Sequence, residues 1–292
     1  MAFPDFYCVG GQKCGTGWLY RNLPLCSGQV WLPPVKELHY FDRIGLPEDV
    51  EEEQRERKRR RSWRREIAAR QRQLRIVGSA LKRFPSLSTA AWLARYHLGT
   101  PTDAWYESLF RPAPGQKAGD ITPAYSMLEE KAVRHVHRLN ESARVIFVVR
   151  NPVERAWSSI KMTCRRTERV QELTERPGDL VQEFLRSPGF TARSNYLRTI
   201  EVWQHVFGPE AFRVWLFDDL ASTPDRFVSE VLDHIGAAAD RMDASTLSGK
   251  ANADPAEIKI PTAVHEALLE HYHQDIIGIQ AAVGRPLHAW LS

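Results

Sequence analysis

The 292-residue sequence has no long apolar segment, which argues against a membrane-spanning helix. Its longest apolar runs, such as 145–149, have only the length of a strand, whereas a membrane helix requires roughly 20 apolar residues. A strand-like pattern begins as early as Phe6, so there is no room for the basic segment, apolar core and cleavage site of a secretory signal. We therefore expect a soluble, cytoplasmic protein.

Cysteine is scarce as well, and its spacing lacks the pairs that are typical of zinc sites. The four residues are Cys8, Cys14, Cys26 and Cys164. Structural zinc sites commonly place two cysteines roughly two to four residues apart, so we predict no metal site and four reduced thiols. Cys14 lies in a glycine-rich loop, where it is either a reactive thiol or a small filler residue, and the general behaviour of cysteine favours the filler.

The chain also lacks a large excess of one charge sign. Its net charge of +4 is compatible with an anionic cofactor and does not indicate nucleic acid as a partner. The basic run at 55–65 is an exception, since such runs bind polyanions. Acidic residues at 51–53 precede this run and an apolar stripe crosses it, which favours a solvated helix face. A protein that binds nucleic acid or an anionic surface remains an alternative.

Strand-like and helix-like segments alternate along the chain, which predicts an α/β fold with a central parallel sheet flanked by helices, in one domain spanning 1–292. Strands are predicted at 6–9, 29–32, 144–149 and 213–217, and helices at 89–98, 128–139, 193–207, after Thr223 and after Thr262. The segment 119–125 is predicted as a loop. Apolar residues recur at helical spacing within the charged stretch 48–84, so we interpret 43–100 as a helical insertion that covers the active site.

A glycine-rich segment, 10–17, connects the first strand to the first helix. Such a turn can direct several backbone N–H groups at one anion, and the positive end of the helix adds to the attraction. Lys13 can reach an oxygen of a transferred group, and Thr16 can donate its hydroxyl to a phosphate. The segment lacks the Gly-Lys-Ser or Gly-Lys-Thr of a Walker A loop, and taken alone it also fits a plain turn.

A second pair of candidates is Arg150, at the end of the strand 144–149, and Ser158, eight residues later. Asn151 is a suitable helix cap and Pro152 a suitable first helical residue. A helix that begins there carries Ser158 about two turns in, where it and Arg150 can hold one phosphate. On spacing alone, an arginine at a strand end and an unrelated helical serine are the better explanation of the pair.

Together these segments resemble a known family, the sulfotransferases. The segment Lys13 to Trp18 resembles their Lys-x-Gly-Thr-Thr-Trp loop around the 5′-phosphosulfate of 3′-phosphoadenosine 5′-phosphosulfate (PAPS). The segment 149–158 is similar to their motif for the 3′-phosphate, and 217–220 and 284–290 also look familial. The resemblance covers most of the chain outside 43–100 and implies a P-loop-like sulfotransferase architecture.

The resemblance also implies roles for individual residues of the cofactor site. The residues it places around PAPS are Lys13, Cys14, Gly15, Thr16, Gly17, Trp18, Arg150 and Ser158. Lys13 would contact the bridging oxygen, Trp18 would stack on adenine, and Arg150 with Ser158 would bind the 3′-phosphate. Gly17 replaces the usual second threonine, and Lys250 is a further candidate for the 3′-phosphate.

The general base has two candidates, both in the segment 36–41, which resembles the Lys-Glu-x-His-Phe-Phe segment of carbohydrate-modifying and bacterial sulfotransferases. The resemblance implies that Glu37 deprotonates the acceptor, and we expect partial burial to raise its pKa toward neutrality. His39 is the rival, because imidazole titrates near neutral pH. A surface Lys-Glu pair beside a packed histidine is the structural alternative.

The implied reaction is transfer of a sulfuryl group from PAPS to a hydroxyl or amine of a small-molecule or glycan acceptor. No metal is expected, since arginine follows the strand where a Walker B strand would offer an aspartate to magnesium. A P-loop kinase of small molecules that uses ATP and magnesium is the enzymatic alternative.

Overall fold

Five parallel strands form the sheet at the centre of the described chain. The sequence predicted the parallel sheet and four of these strands. The protein is described by a computed structural model that covers residues 3–43, 87–242, 247 and 258–292. The strands are β1 (Phe6–Cys8), β2 (Val30–Trp31), β3 (Lys117–Ile121), β4 (Arg144–Val149) and β5 (Phe212–Leu216). Their spatial order is β2-β3-β1-β4-β5, with every adjacent pair parallel.

The register of the central strands brings the candidate site residues to one edge of the sheet. Cys8 in β1 pairs with Ile121 in β3 on one side and with Ile146 in β4 on the other. The chain that follows each strand therefore emerges at one edge of the sheet, the carboxyl edge, where open α/β sheets bind their ligands. The glycine-rich loop, Thr122 and Arg150 all follow these three strands.

Strand β3 is a correction to the sequence-based prediction, which treated 119–125 as a loop. The segment Lys-Ala-Gly-Asp-Ile contains two residues that are depleted in strands, yet it pairs on both sides. The ring of Phe6 explains Gly119, because a Cβ there would lie 2.1 Å from that ring. Asp120 is fully buried and tolerated because hydroxyl groups of neighbouring side chains donate to its carboxylate.

Helices flank the sheet along its length. They are α1 (Thr16–Cys26), α2 (Leu87–Leu98), α3 (Asp103–Ser108), α4 (Glu130–Leu139), α5 (Pro152–Arg166), α6 (Glu172–Glu175), α7 (Pro177–Leu185), α8 (Pro188–Thr191), α9 (Tyr196–Phe207), α10 (Phe217–Ser222), α11 (Pro224–His234) and α12 (Thr262–Val283). Asn151 caps α5 by accepting from the N–H of Val153, and Pro152 is its first residue. Both features were predicted from the sequence.

Several predicted features lie outside the described residues. The helix proposed within 48–84, the basic run 55–65 and Lys250 belong to this group. Of the proposed insertion at 43–100, helix α2 is described and agrees with the helix predicted at 89–98. Among the described helices, none combines the length and apolar character needed to cross a bilayer.

Candidate active site

The glycine-rich loop runs from the carboxyl end of β1 to the amino end of α1. Gly15 is the N-cap of α1 and has a φ of +84°, a left-handed conformation that favours glycine. A Cβ on Gly15 would also lie 2.5 Å from Leu220. The following residues, Thr16 and Gly17, form the first turn of α1, whose backbone N–H groups have no carbonyl partner within the helix. The loop thus has the geometry of an anion cradle.

Cys14 and Trp18 are buried in this loop, as is Thr16 at 5% exposure. The Cys14 thiol is fully buried, and burial raises its pKa, so it is protonated at neutral pH and fills space, as the sequence favoured. All four cysteines are free and buried. The Trp18 ring is only 2% exposed, so in this conformation it presents almost no surface, and its stacking on adenine stays a prediction.

Lys13, Arg150 and Ser158 line one cavity at the carboxyl edge of the sheet, which we call the donor cavity. Its volume is about 410 Å³. The full lining consists of Lys13, Arg150, Asn151, Val153, Glu154, Trp157, Ser158, Lys161, Arg165, Ile260, His265, Ala289 and Ser292. Four of these side chains are cationic and one, Glu154, is acidic, so the cavity suits an anionic ligand.

Arg150 is held on three sides. Its Nε and Nη2 donate to one carboxylate oxygen of Glu154, at 2.9 and 2.8 Å, and its guanidinium lies 4.6 Å from the centre of the Phe217 ring. Its Nη1 lies 3.5 Å from the backbone oxygen of Lys13. These contacts fix Arg150 beside the glycine-rich loop, with its Nε and Nη2 both engaged by the Glu154 carboxylate.

Lys161 and Arg165 also line the donor cavity, and the sequence analysis missed both. They lie three and seven residues after Ser158 on α5, a spacing that places all three on one face of a helix. That spacing was the available signal.

The segment 285–290 packs against the residues that follow β5 and against the start of α5. Trp290 Nε1 donates to Asp218 at 2.6 Å, and Arg285 forms an ion pair with Asp219. Asn151 Nδ2 lies 3.5 Å from the backbone oxygen of Trp290. The two further segments that looked familial, 217–220 and 284–290, are therefore in contact with each other and with the start of α5.

The segment that carries Glu37 and His39 is positioned by the residues after β3. The backbone N–H of Glu37 donates to Ile121 at 3.2 Å, and that of Leu38 donates to the Thr122 hydroxyl at 3.0 Å. Thr122 in turn donates to the buried carboxylate of Asp120 at 2.7 Å. A buried polar cluster thus fixes the backbone around Glu37, because its hydroxyls satisfy Asp120 on one side and backbone amides on the other.

The side chains of Glu37, His39 and Asp42 form a connected series. His39 Nδ1 lies 2.8 Å from Asp42, and its Nε2 lies 3.5 Å from Glu37, whose other oxygen contacts the Lys36 ammonium. His39, followed by Lys36, lowers the pKa of Glu37 to about 2, although desolvation opposes the shift. Asp42, followed by Glu37, raises the pKa of His39 to about 9. At neutral pH the series therefore holds a carboxylate and an imidazolium.

This electrostatic arrangement corrects our expectation that burial would raise the pKa of Glu37 toward neutrality. Desolvation is present, but the hydrogen bond to His39 outweighs it. The sequence shows Lys36 and His39 as neighbours of Glu37, but it does not show that both side chains turn toward the same carboxylate.

Backbone conformation also sets the candidate residues apart. Among the described non-glycine residues, four have φ in the left-handed region: Lys13, Glu37, His39 and Glu168. This conformation costs about 1 kcal/mol or more for a residue with a Cβ. Three of the four are the candidate catalytic residues, and strain of this kind concentrates at functional sites.

The raised pKa of His39 predicts a pH-dependent stability. Its folded pKa of about 9 lies above the ordinary 6.5, so its contribution is complete below pH 6.5 and is lost as the pH rises through about 9. We expect His39→Asn to lower the free energy of unfolding by up to about 3 kcal/mol at pH 6, with a difference that shrinks by pH 10. Denaturant unfolding of both proteins across this range measures it.

His97 is the control for this prediction. Burial lowers its pKa, so the sign is reversed and His97→Asn should gain stability relative to wild type as the pH falls through 6.5. A His39→Asn difference that is constant from pH 6 to 10 would contradict the ion pairs seen here.

Comparisons with known proteins agree on one family. The model of the sulfotransferase family matches residues 4–241. The human heparan sulfate glucosamine 3-O-sulfotransferase 6 is 32% identical over 139 residues, which are 46% of this chain and 39% of the human protein. The mouse protein of the same name is 31% identical over a stretch of the same length. The chain thus spans about two fifths of the length of the curated relatives it matches.

Solved structures show the same fold. A sulfotransferase from Alicyclobacillus acidocaldarius superposes with a TM-score of 0.62 at 21% identity over the whole of both chains. The sulfotransferase domain from the curacin biosynthetic pathway superposes with a TM-score of 0.55 at 14% identity over 98% of this chain and 99% of that domain. These likenesses confirm the predicted sulfotransferase architecture. Since the family model spans the Lys13 loop, the Glu37 segment and the Arg150 helix, the chain belongs to the sulfotransferase family of transferases.

Proposed function

We propose that the protein transfers a sulfuryl group from PAPS to a hydroxyl or amine of a glycan or small-molecule acceptor. The observation that carries this proposal is the donor cavity, where Lys13, Arg150 and Ser158 lie together. These residues come from two segments more than a hundred positions apart. The family match favours this donor over the ATP of the kinase alternative.

The residues of the donor cavity fit the two anionic ends of PAPS. Arg150, Ser158 and Lys161 offer charged and hydroxyl donors to a 3′-phosphate, and Lys13 with the first turn of α1 offers donors to a 5′-phosphosulfate. Lys250, proposed for the same 3′-phosphate, lies outside the described residues. The donor supplies an activated sulfuryl group whose bond to the 5′-phosphate is broken during transfer.

Lys13 would act on the leaving group. As the bond from sulfur to the bridging oxygen breaks, negative charge grows on that oxygen, and the fixed ammonium stabilises it more than it stabilises the ground state. The left-handed backbone at Lys13 supports a role in which the side chain must point into the site.

Glu37 would accept the acceptor's proton, with His39 as its positioning residue. The pKa of about 9 keeps His39 protonated at neutral pH, which favours Glu37 over His39 as the base. A carboxylate with a pKa of about 2 is a weak base, so the arriving acceptor would have to weaken its contact with His39, the larger cause of the shift, as well as that with Lys36 to raise that pKa before proton transfer.

Replacing the carboxylate tests both the base and the function. Glu37→Gln should reduce transfer of radiolabelled sulfate from PAPS by at least about a hundredfold, because the amide keeps the shape and cannot accept a proton. Binding of the desulfated product, 3′,5′-adenosine bisphosphate, should stay within about twofold of wild type. His39→Asn should be milder, and an active Glu37→Gln beside an inactive His39→Asn would assign the base to His39.

A kinase control completes this test of function. Phosphate transfer from radiolabelled ATP with magnesium should be absent in the same assay. Turnover of ATP without any transfer from PAPS, in chelator-treated buffer, would replace the proposed function with the kinase.

Gly17 stands where the family has its second threonine, so restoring the threonine is expected to increase the affinity for the nucleotide. No heavy atom lies within 4 Å of a Cβ built there, so a side chain fits without a clash. We expect Gly17→Thr to tighten 3′,5′-adenosine bisphosphate binding about fivefold relative to Gly17→Ala, the value of one added hydrogen bond. The Ala variant should raise the free energy of unfolding by about 0.5–1 kcal/mol because it removes a helical glycine. Calorimetric titration separates the two effects, and equal affinities of the Thr and Ala variants would exclude a phosphate contact at position 17.

A further inference from the structure

Arg155 is a buried cation without a counter-ion in the described part of the chain. Its side chain is fully buried, and its Nε, Nη1 and Nη2 have no hydrogen-bond partner. Its guanidinium lies 4.9 Å from the centre of the Phe190 ring. An unpaired buried charge costs several kcal/mol. A fold can retain such a charge where a bound anion offsets that cost.

A second cavity, distinct from the donor cavity, is lined in part by Phe190, the ring on which Arg155 stacks, whereas Arg155 itself does not line it. Its volume is about 260 Å³. It is lined by Gln12, Ser159, Met162, Thr163, Arg166, Phe184, Ser187, Gly189, Phe190 and Arg193. The lining contains two arginines and no acidic residue, and it includes Phe190, on which Arg155 stacks. The half-buried Arg193 is close enough to Arg155 that burial, and then repulsion from Arg155, lower its pKa.

The second cavity borders the glycine-rich loop. Gln12 lines it, whereas the next residue, Lys13, lines the donor cavity. Helix α5 divides the two in the same way, since Ser158 faces the donor cavity and Ser159 the second cavity. A molecule in the second cavity therefore lies across α5 from the donor and close to the residue that would hold the transferred group.

We propose that the second cavity binds an oxyanion group of the acceptor, a carboxylate or a sulfate ester, through Arg166 and Arg193, with the buried charge of Arg155, stacked on Phe190, adding to the attraction. The planar guanidinium matches the geometry of these groups. The proposal rests on the proposed function and narrows its acceptor to an acidic molecule with a hydroxyl or amine near the anionic group. It predicts that Arg155 is stabilised when the acceptor arrives.

Binding of inorganic sulfate tests the site apart from catalysis. The protein is first saturated with 3′,5′-adenosine bisphosphate, so that the donor cavity is filled, and sulfate is then titrated at constant ionic strength. We expect one sulfate per chain, bound at least about tenfold more weakly in Arg193→Gln and unchanged in Arg226→Gln, an exposed arginine on α11. No sulfate binding by the wild type, or equal binding by Arg193→Gln, would overturn the inference.

Arg155→Met gives a readout that a merely structural arginine would not produce. Removal of an unpaired buried charge should leave the ligand-free protein at least as stable as wild type, while sulfate, which raises the melting temperature of the wild type, should raise that of the variant less. A variant that melts lower than wild type without sulfate, or that retains the full sulfate response, would contradict the role given to Arg155.

A matched pair of acceptors then tests specificity. With p-nitrophenyl β-glucuronide and p-nitrophenyl β-glucoside, which differ in one carboxylate, we expect at least about a tenfold preference in kcat/KM for the glucuronide and its loss in Arg193→Gln. Equal use of both glycosides would overturn the inference and leave the proposed function standing. Failure of 3′,5′-adenosine bisphosphate to bind would instead count against the proposed function. The sulfate titration tests the second cavity whether or not the bisphosphate binds.

Discussion

Lys13→Ala is expected to lower turnover by roughly a hundredfold to a thousandfold, the scale of one lost charge-stabilising donor. Lys13 lines the donor cavity and has a left-handed backbone that the replacement must also adopt, so the variant changes the side chain without a new demand on the backbone. Affinity for 3′,5′-adenosine bisphosphate should fall much less, because the ammonium acts mainly on charge that develops during transfer. Single-turnover and steady-state rates with saturating PAPS measure the effect.

Lys117→Ala is the matched control for this experiment. Lys117 is a partly exposed lysine at the first residue of β3, the end of the strand opposite the site, where it lies 3.9 Å from Asp5. Its loss should leave turnover unchanged. A Lys13→Ala variant that keeps more than about a third of the wild-type turnover would remove Lys13 from the chemical step.

The sequence predicted the elements that carry strong local signals. Strand β4 is a continuous apolar run, and α5 begins with a cap and a proline that act within a few residues. Their positions, and the meeting of Lys13 with Arg150, follow from a parallel sheet whose strands end at one edge. Strand β3 was missed because its glycine and aspartate are explained only by Phe6 and by hydroxyls from distant segments.

Electrostatics at the site could not be read from the sequence for a similar reason. The pKa of Glu37 depends on which way the side chains of Lys36 and His39 turn, and that of His39 depends on Asp42. The backbone that carries these side chains is itself held by contacts with Ile121 and with Thr122, which donates to Asp120. The sequence shows which residues of the segment 36–42 are charged, but tertiary contacts determine the direction of each pKa shift.

The donor cavity predicts a strong preference between two nucleotides that differ by one phosphate. If Arg150 and Ser158 form a site for the 3′-phosphate, 3′,5′-adenosine bisphosphate should bind more tightly than 5′-AMP by about 2 to 4 kcal/mol, roughly thirtyfold to a thousandfold. The preference should persist without magnesium. Calorimetric titration of both nucleotides provides the measurement, and equal affinities in the wild type would contradict the assignment of this site.

Two variants locate the preference within the cavity. Arg150→Ala should reduce the preference to a few fold. It should weaken binding of the bisphosphate and barely change binding of 5′-AMP, because the smaller ligand has no 3′-phosphate for the guanidinium to contact. Glu154→Gln removes the carboxylate that pairs with Arg150 in this structure. Because the guanidinium is then released from this ion pair, the affinity for the bisphosphate should rise about twofold to fivefold. Arg134→Ala breaks a similar pair with Glu130 on α4, also four residues apart, and should change neither affinity. If Arg150→Ala kept the full preference while Glu154→Gln had no effect, the 3′-phosphate would have to be bound elsewhere, and the donor would be oriented differently relative to Lys13.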